Sequence, residues 1–125
     1  MAIIRRQGGQ FLVSQRLPKD SFGGFWEFPG GKLNPGESLQ QGLAREILEE
    51  LGVHVEVGEK RMEIRHSDPS RVILLHCFDC RVVEGEPRAI ECACWRWVEV
   101  EELEGLTFPP ASRPLIRLLQ ESGGA

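Results

Sequence analysis

The chain has 125 residues, with 15 basic and 19 acidic side chains and a net charge of -4. A chain of this length suits a single domain, here residues 1–125, and its negative balance argues against a protein that grips nucleic acid through the phosphates. No stretch approaches the ~20 apolar residues of a membrane span, and the start MAIIRRQGG lacks a secretory hydrophobic region, so we expect a cytoplasmic protein without membrane partners.

Two short strand-like runs open the chain, at residues 3–6 and 10–16, and a Gln-Gly-Gly turn joins them. This pattern predicts a β-hairpin. After a loop at residues 19–24, the segment FWEFPGG (residues 25–31) combines aromatic residues with glycines, as loops that contact ligands often do. Core filling explains the aromatic rings equally well.

A helix is predicted from residue 38 to residue 51. Its apolar stripe comprises Leu39, Leu43, Ile47, Leu48 and Leu51. Ser38 and Gln41 have the form of a capping box, and Gly52 suits the left-handed position that follows a helix.

Three glutamates, Glu46, Glu49 and Glu50, share one face of this helix. Carboxylates crowded in this way repel one another unless cations hold them, and hard divalent ions prefer oxygen ligands. The helix is therefore predicted to be a metal-binding platform. A solvated acidic face is the simpler alternative, which the adjoining Gly30-Gly31 turn and Arg45 disfavour.

The second half of the chain is rich in strands. We predict strands at 53–57, 61–64 and 72–83, the last of them central, then a turn at 84–87 and a strand at 95–98. An acidic segment at 99–103 precedes a terminal helix at 113–120, with Ser112 as its N-cap and Pro114 in its first turn. The predicted fold class is α/β (α+β), an α/β/α sandwich over a central mixed β-sheet.

The four cysteines are Cys77, Cys80, Cys92 and Cys94. Their close spacing suggests a zinc site. Cys77 and Cys80, however, point to opposite faces of a regular strand, so we expect buried thiols and no zinc.

The segment from residue 31 to residue 53 resembles the signature of Nudix hydrolases. The matching residues are Gly31, Glu37, Arg45, Glu46, Ile47, Glu49, Glu50, Gly52 and Val53. The resemblance implies the Nudix fold and hydrolysis of a phosphoric anhydride with Mg²⁺, or Mn²⁺, as cofactor.

Metal ligation is assigned to Glu49 and Glu50, with Glu46 as ligand or general base and the Gly30 carbonyl completing the shell. The resemblance implies that Arg45 orients these glutamates. The same resemblance implies that Glu37 pairs with Arg45 and that Gly31, Glu37 and Gly52 give structural support. By the same resemblance, Glu91 maps to an additional metal ligand.

Beyond the signature, the segments WEFPGGK, GEP and FPPA resemble the MutT type of Nudix hydrolase. This type converts nucleoside triphosphates, oxidised guanine nucleotides such as 8-oxo-dGTP among them, to a monophosphate and pyrophosphate. The implied substrate-binding residues are Arg16, Glu27, Phe28, Pro29, Gly30 and Ser112. The resemblance thus implies a small nucleotide partner and no nucleic acid, with a monomer or a homodimer left open.

Two positions depart from the MutT pattern, because Ser112 replaces an asparagine that pairs with the base and Ser21 replaces a histidine. A hydroxyl cannot match the fixed donor and acceptor of an amide, which leaves the guanine preference open. The first alternative is CTP or a modified pyrimidine nucleotide. ADP-ribose follows, because of Pro69, and a non-catalytic nucleotide sensor comes last.

Overall fold

The computed structural model describes residues 1–122, so residues 123–125 of the predicted domain lie outside the described part. In chain order the elements are β1 (Ala2–Ile4), β2 (Phe11–Gln15), β3 (Trp26–Glu27), α1 (Leu39–Leu51), β4 (His54–Asp68), β5 (Arg71–Glu84), β6 (Cys94–Val98) and α2 (Arg113–Glu121). Two 3₁₀ helices, Val100–Gly105 and Pro110–Ser112, connect β6 to α2. Within residues 1–122, no helix has the length and apolar character needed to cross a membrane.

The strands form two three-stranded sheets. In the first, with the order β1-β5-β4, β1 runs parallel to β5 and β4 runs antiparallel to it. This sheet is mixed and has β5 at its centre, as predicted. The second sheet, with the order β3-β2-β6, is antiparallel.

Residues of β1 alternate between the two sides of the molecule, because successive side chains of a strand point to opposite faces. Ala2 and Ile4 pack in the cluster that contains Leu43 of α1, whereas Ile3 packs in the cluster that contains Leu115 of α2. One helix therefore covers each side of the strands, which confirms the α/β/α sandwich. Each fully buried leucine of these clusters contributes ~2 kcal/mol, and this packing fixes the backbone of α1.

Helix α1 begins and ends where the sequence predicts. The Ser38 hydroxyl accepts a hydrogen bond from the Gln41 amide at 3.1 Å, and the Gln41 side chain accepts one from the Ser38 amide at 3.0 Å. Gly52 has a φ of 71° and donates to the Leu48 carbonyl, so it ends the helix in the left-handed conformation. The predicted apolar stripe is wrong only at Leu48, which lies 38% exposed at the edge of the buried face.

The predicted hairpin at the start of the chain is wrong. The Gln-Gly-Gly turn does reverse the chain, but a single bridge, between Arg5 and Phe11, joins the two runs. β1 pairs instead with β5, and β2 pairs with β3 and β6. All three residues of β1 are buried, and the centre of the fold provides cover on both sides that a hairpin lacks.

Two further predictions need correction. The strands predicted at 53–57 and 61–64 are one strand, β4, whose pairing with β5 is irregular between Val57 and Met62. The polar residues there form a bulge and not a turn. Ser112 does not cap α2 through its side chain, because it already has helical dihedrals as the last residue of a 3₁₀ helix.

Candidate active site

The Arg45 guanidinium binds three glutamates at once. Its Nε and Nη2 donate to the two oxygens of Glu37 at 2.7 and 3.0 Å. Its Nη1 donates to Glu46 at 2.8 Å and to Glu49 at 3.0 Å, and Nη2 also reaches the Lys32 carbonyl at 2.8 Å. These bonds raise the pKa of Arg45, and the bond from Arg45 is the main reason that the pKa of Glu37 is lowered. Arg45 therefore ties the preceding turn to α1.

Glu50 lies apart from this arginine, in a crowd of carboxylates. Burial raises the pKa of Glu50 to about 8, and the nearby charges of Glu27, Glu46 and Glu91 add to the effect. A hydrogen bond from the Gly30 amide, at 3.3 Å, opposes them. Such crowding makes the ionised form of Glu50 unfavourable until a cation compensates it.

Two glycines allow the turn before α1 to approach these side chains. Gly30 has a φ of 150°, in the region that L side chains rarely adopt. A Cβ on Gly31 would collide with the carboxylate of Glu46. Gly30 therefore needs glycine for its backbone conformation, and a side chain at Gly31 would displace the Glu46 carboxylate.

Glu91 is brought to the site by the end of α1. The amides of Ile90 and Glu91 donate to the Glu50 carbonyl at 3.0 and 3.1 Å, and the Arg88 amide donates to the Leu51 carbonyl at 2.8 Å. A helix leaves its last carbonyls without partners inside the helix, and here the loop provides them. The resemblance alone suggested Glu91, and the structure adds a physical reason for its position beside Glu50.

The residues assigned to the nucleotide occupy different environments. Arg16 donates from Nη1 to Glu27 at 2.8 Å, and burial raises the pKa of Glu27 although Arg16 opposes the effect. The Pro29 carbonyl accepts a hydrogen bond from Ala2 at 2.8 Å, which holds this segment against β1. Ser112 is 4% exposed.

Phe28 requires a correction. Its ring is 1% exposed and stacks on Phe108, with ring centroids 5.3 Å apart and an angle of 23° between the planes. The ring therefore fills the core and presents no free face to a base. The core-filling alternative that the sequence left open for these aromatic rings therefore applies to Phe28.

The donor set suits a hard divalent cation, although no ready cage exists. Among residues 1–122, no three acidic, histidine or cysteine side chains converge as a metal site. Glu46 and Glu49 accept hydrogen bonds from Arg45 instead. The carboxylates around Glu50 provide only oxygen donors and repel one another, which is the environment that a Mg²⁺ or Mn²⁺ ion would relieve.

Three of the four cysteines are buried, and one of them, Cys92, lies close enough to Glu50 and Glu27 that their charges help burial to raise its pKa. Cys77 belongs to the α2 side of the core and Cys80 to the α1 side, so these two thiols face opposite sides, as the strand geometry predicted. Cys92 is buried and the Cys94 thiol donates to Gln15 at 3.2 Å.

Comparison with known proteins agrees with this geometry. The model of the NUDIX domain family matches residues 1–118. The chain is 37% identical over 121 residues to the 8-oxo-dGTP diphosphatase of Haemophilus influenzae, covering 96% of this chain and 89% of the relative. It is also 37% identical over 115 residues to the CTP pyrophosphohydrolase of Escherichia coli K12, covering 92% of this chain and 84% of that relative.

Among solved structures, the MutT protein of Methanosarcina mazei Go1 superposes with a TM-score of 0.85 at 30% identity. The match covers 97% of this chain and 90% of that protein. The signature helix, the sandwich around it and the near-complete match to the family model lead to one conclusion: the chain belongs to the Nudix family.

Proposed function

We propose that this Nudix protein hydrolyses a nucleoside triphosphate to the monophosphate and pyrophosphate with Mg²⁺, and that its substrate is an oxidised or otherwise non-standard nucleotide such as 8-oxo-dGTP. The observation that carries the proposal is the crowd of carboxylates around Glu50 at the end of α1. The relative from Haemophilus influenzae, named for 8-oxo-dGTP, supports the choice of substrate.

The protein's own contribution to the reaction is to hold acidic groups in place. Glu50, Glu49 and Glu46 would provide the ligands for Mg²⁺, with the Gly30 carbonyl and Glu91 completing the set. A bound Mg²⁺ would neutralise phosphate oxygens and lower the pKa of the attacking water. Either Glu46 or Glu91 would accept the proton from that water, and Arg45 would keep Glu46 and Glu49 in place between turnovers.

Metal binding requires two changes in this arrangement. Glu50 must lose its proton, since its pKa of about 8 keeps it partly neutral at physiological pH. Glu49 must turn towards the cation, which its exposed position at the helix surface permits, while Arg45 stays bound to Glu37 and Glu46.

Arg16 and Glu27 are proposed to contact the nucleoside. Their ion pair, at 2.8 Å, joins the loop after β2 to β3 beside Glu50. Ser112 is proposed to face the base from the opposite segment. Phe28, although implied as a substrate-binding residue by the resemblance, is given no contact with the base, because its ring is covered by Phe108.

A pyrimidine nucleotide such as CTP is the second candidate. The hydroxyl of Ser112 favours it, because a serine cannot offer the paired donor and acceptor of an amide to a purine edge. The CTP pyrophosphohydrolase of Escherichia coli, as similar to this chain as the 8-oxo-dGTP enzyme, supports the same alternative.

A substrate panel tests the proposal. We expect pyrophosphate release in Mg²⁺ from 8-oxo-dGTP or CTP at a kcat/KM at least about 10-fold above that for dGTP, dATP and ADP-ribose. Chelation with EDTA should abolish it. A panel in which ADP-ribose is the best substrate, or in which no nucleotide is hydrolysed, would refute the proposal.

The cytoplasmic location, the single domain and the oligomeric state stay predictions.

A further inference from the structure

Phe22 has two unusual properties. It is the only exposed phenylalanine or tryptophan among residues 1–122, with 51% of its surface accessible. It is also the only residue other than glycine in that range with a positive φ, at 56°. Bulky side chains rarely adopt this conformation because the Cβ crowds the backbone, and such strain is often found at ligand sites.

The loop around Phe22 is closed by backbone hydrogen bonds. The Arg16 amide donates to the Phe25 carbonyl at 2.9 Å, the Gly24 amide donates to the Arg16 carbonyl at 3.1 Å, and the Phe25 amide donates to the Phe22 carbonyl at 3.0 Å. A Cβ on Gly23 would collide with the Pro18 carbonyl, so the loop is too tight for a side chain there. These contacts therefore fix the backbone on either side of Phe22.

Arg16 connects this loop to the active site. Its Nε donates to the carbonyl of Ser21, the residue before Phe22, and its Nη1 donates to Glu27. Glu27 in turn lies close enough to Glu50 to influence its charge. The backbone next to Phe22 is thus connected through Arg16 to Glu27.

A nucleotide bound at this cluster would gain affinity from an aromatic surface on which its base could stack. Phe28 cannot provide one because it lies in the core against Phe108. The Phe22 ring can, since its only described aromatic neighbour, Phe25, meets it edge to face at 5.3 Å.

We propose that Phe22 stacks on the base of the bound nucleotide and provides much of the affinity for the nucleoside part. This inference rests on the proposed function, because it takes a nucleotide as the ligand. Every base has a flat face, so the ring would add affinity without choosing between bases. Discrimination between bases would depend on polar groups such as Ser112.

Equilibrium binding tests the inference without relying on turnover. The probes are 8-oxo-dGMP, CMP and pyrophosphate, titrated in Mg²⁺ into the wild type and into Phe22→Ala, Phe22→Trp and Phe22→Gly. We expect Phe22→Ala to weaken nucleoside monophosphate binding about 5- to 100-fold and to change pyrophosphate binding less than about twofold. Phe22→Trp should restore monophosphate binding, and Val83→Ala, at another exposed apolar residue, should change neither.

Phe22→Gly separates stacking from a structural role, because glycine adopts a positive φ without strain. We expect it to keep or raise the melting temperature while weakening monophosphate binding as much as Phe22→Ala. Unchanged monophosphate binding in Phe22→Ala would overturn the inference and leave the proposed function intact. A parallel loss of melting temperature and pyrophosphate binding would also overturn it, whereas a wild type that hydrolyses no nucleotide would overturn the proposed function itself.

Discussion

Replacing Glu50 with glutamine is expected to lower nucleoside triphosphate turnover about 1,000-fold while making the metal-free protein more stable. The loss follows from removing a negative oxygen donor from the proposed metal site. The gain follows from the crowding around Glu50, where burial and the charges of Glu27, Glu46 and Glu91 oppose its ionisation. One substitution should thus move activity and stability in opposite directions.

The pH dependence of this effect has a definite sign. The ordinary pKa of a glutamate, 4.5, applies in the unfolded chain, and the pKa of Glu50 in the folded protein is about 8. The folded protein therefore binds this proton more tightly, and Glu50 makes stability fall as the pH rises from 4.5 to about 8. Allowing for residual solvation, we expect Glu50→Gln to add about 2 kcal/mol to the free energy of unfolding at about pH 8.5 and little at about pH 4.

Urea unfolding in EDTA at these two pH values measures the difference. Glu59→Gln is the matched control, since Glu59 is an exposed glutamate away from the site, and we expect it to leave both turnover and stability unchanged. If Glu50→Gln destabilised the metal-free protein at high pH, our claim that the ionised Glu50 carboxylate destabilises the fold would be wrong. If it kept wild-type turnover, the metal assignment would be wrong.

Replacing Arg45 with lysine is expected to lower kcat about 10- to 100-fold, although the positive charge is kept. A guanidinium binds Glu37 with two nitrogens and still reaches Glu46 and Glu49, whereas an ammonium group cannot span these partners in one geometry. The glutamates would then be less ordered, so the variant should also need more Mg²⁺ for half-maximal activity.

Magnesium titrations of kcat for wild type and Arg45→Lys test this role. Arg81→Lys is the control, because Arg81 also binds a carboxylate through two nitrogens, that of Glu56, but at the exposed edge of the β4–β5 pair. We expect the control to match the wild type. A Mg²⁺ requirement that is the same in Arg45→Lys and wild type would show that Arg45 does not order the metal ligands.

Local features of the sequence determined what could be predicted. The limits of α1 follow from the capping box at Ser38 and Gln41 and from Gly52, all within a few residues of the helix. The pairing of β1 with β5 could not be foreseen, because a parallel partner lies far along the chain and leaves no local pattern. β3 was missed because two residues between loops carry no periodicity.

In the active site, too, local spacing could be predicted from the sequence, whereas contacts between distant segments could not. Spacing along α1 places Arg45, Glu46 and Glu49 within reach of one another, and the resemblance to a known signature adds Glu37. The contact between Arg45 and the Lys32 carbonyl involves a backbone atom that any residue would supply, so the identity of residue 32 does not predict it. Glu27 was expected near the base, and its closeness to Glu50 emerged only from the folded arrangement.

The hydrogen bonds from the Arg88, Ile90 and Glu91 amides to the end of α1 have a consequence for local opening. The last turn of the helix and the loop share these bonds, so neither can open without the other. We expect these three amides to exchange deuterium at the same rate as the amides of the final helical turn. A change in that loop would then alter the order of Glu50 through the helix end, without any contact to its carboxylate.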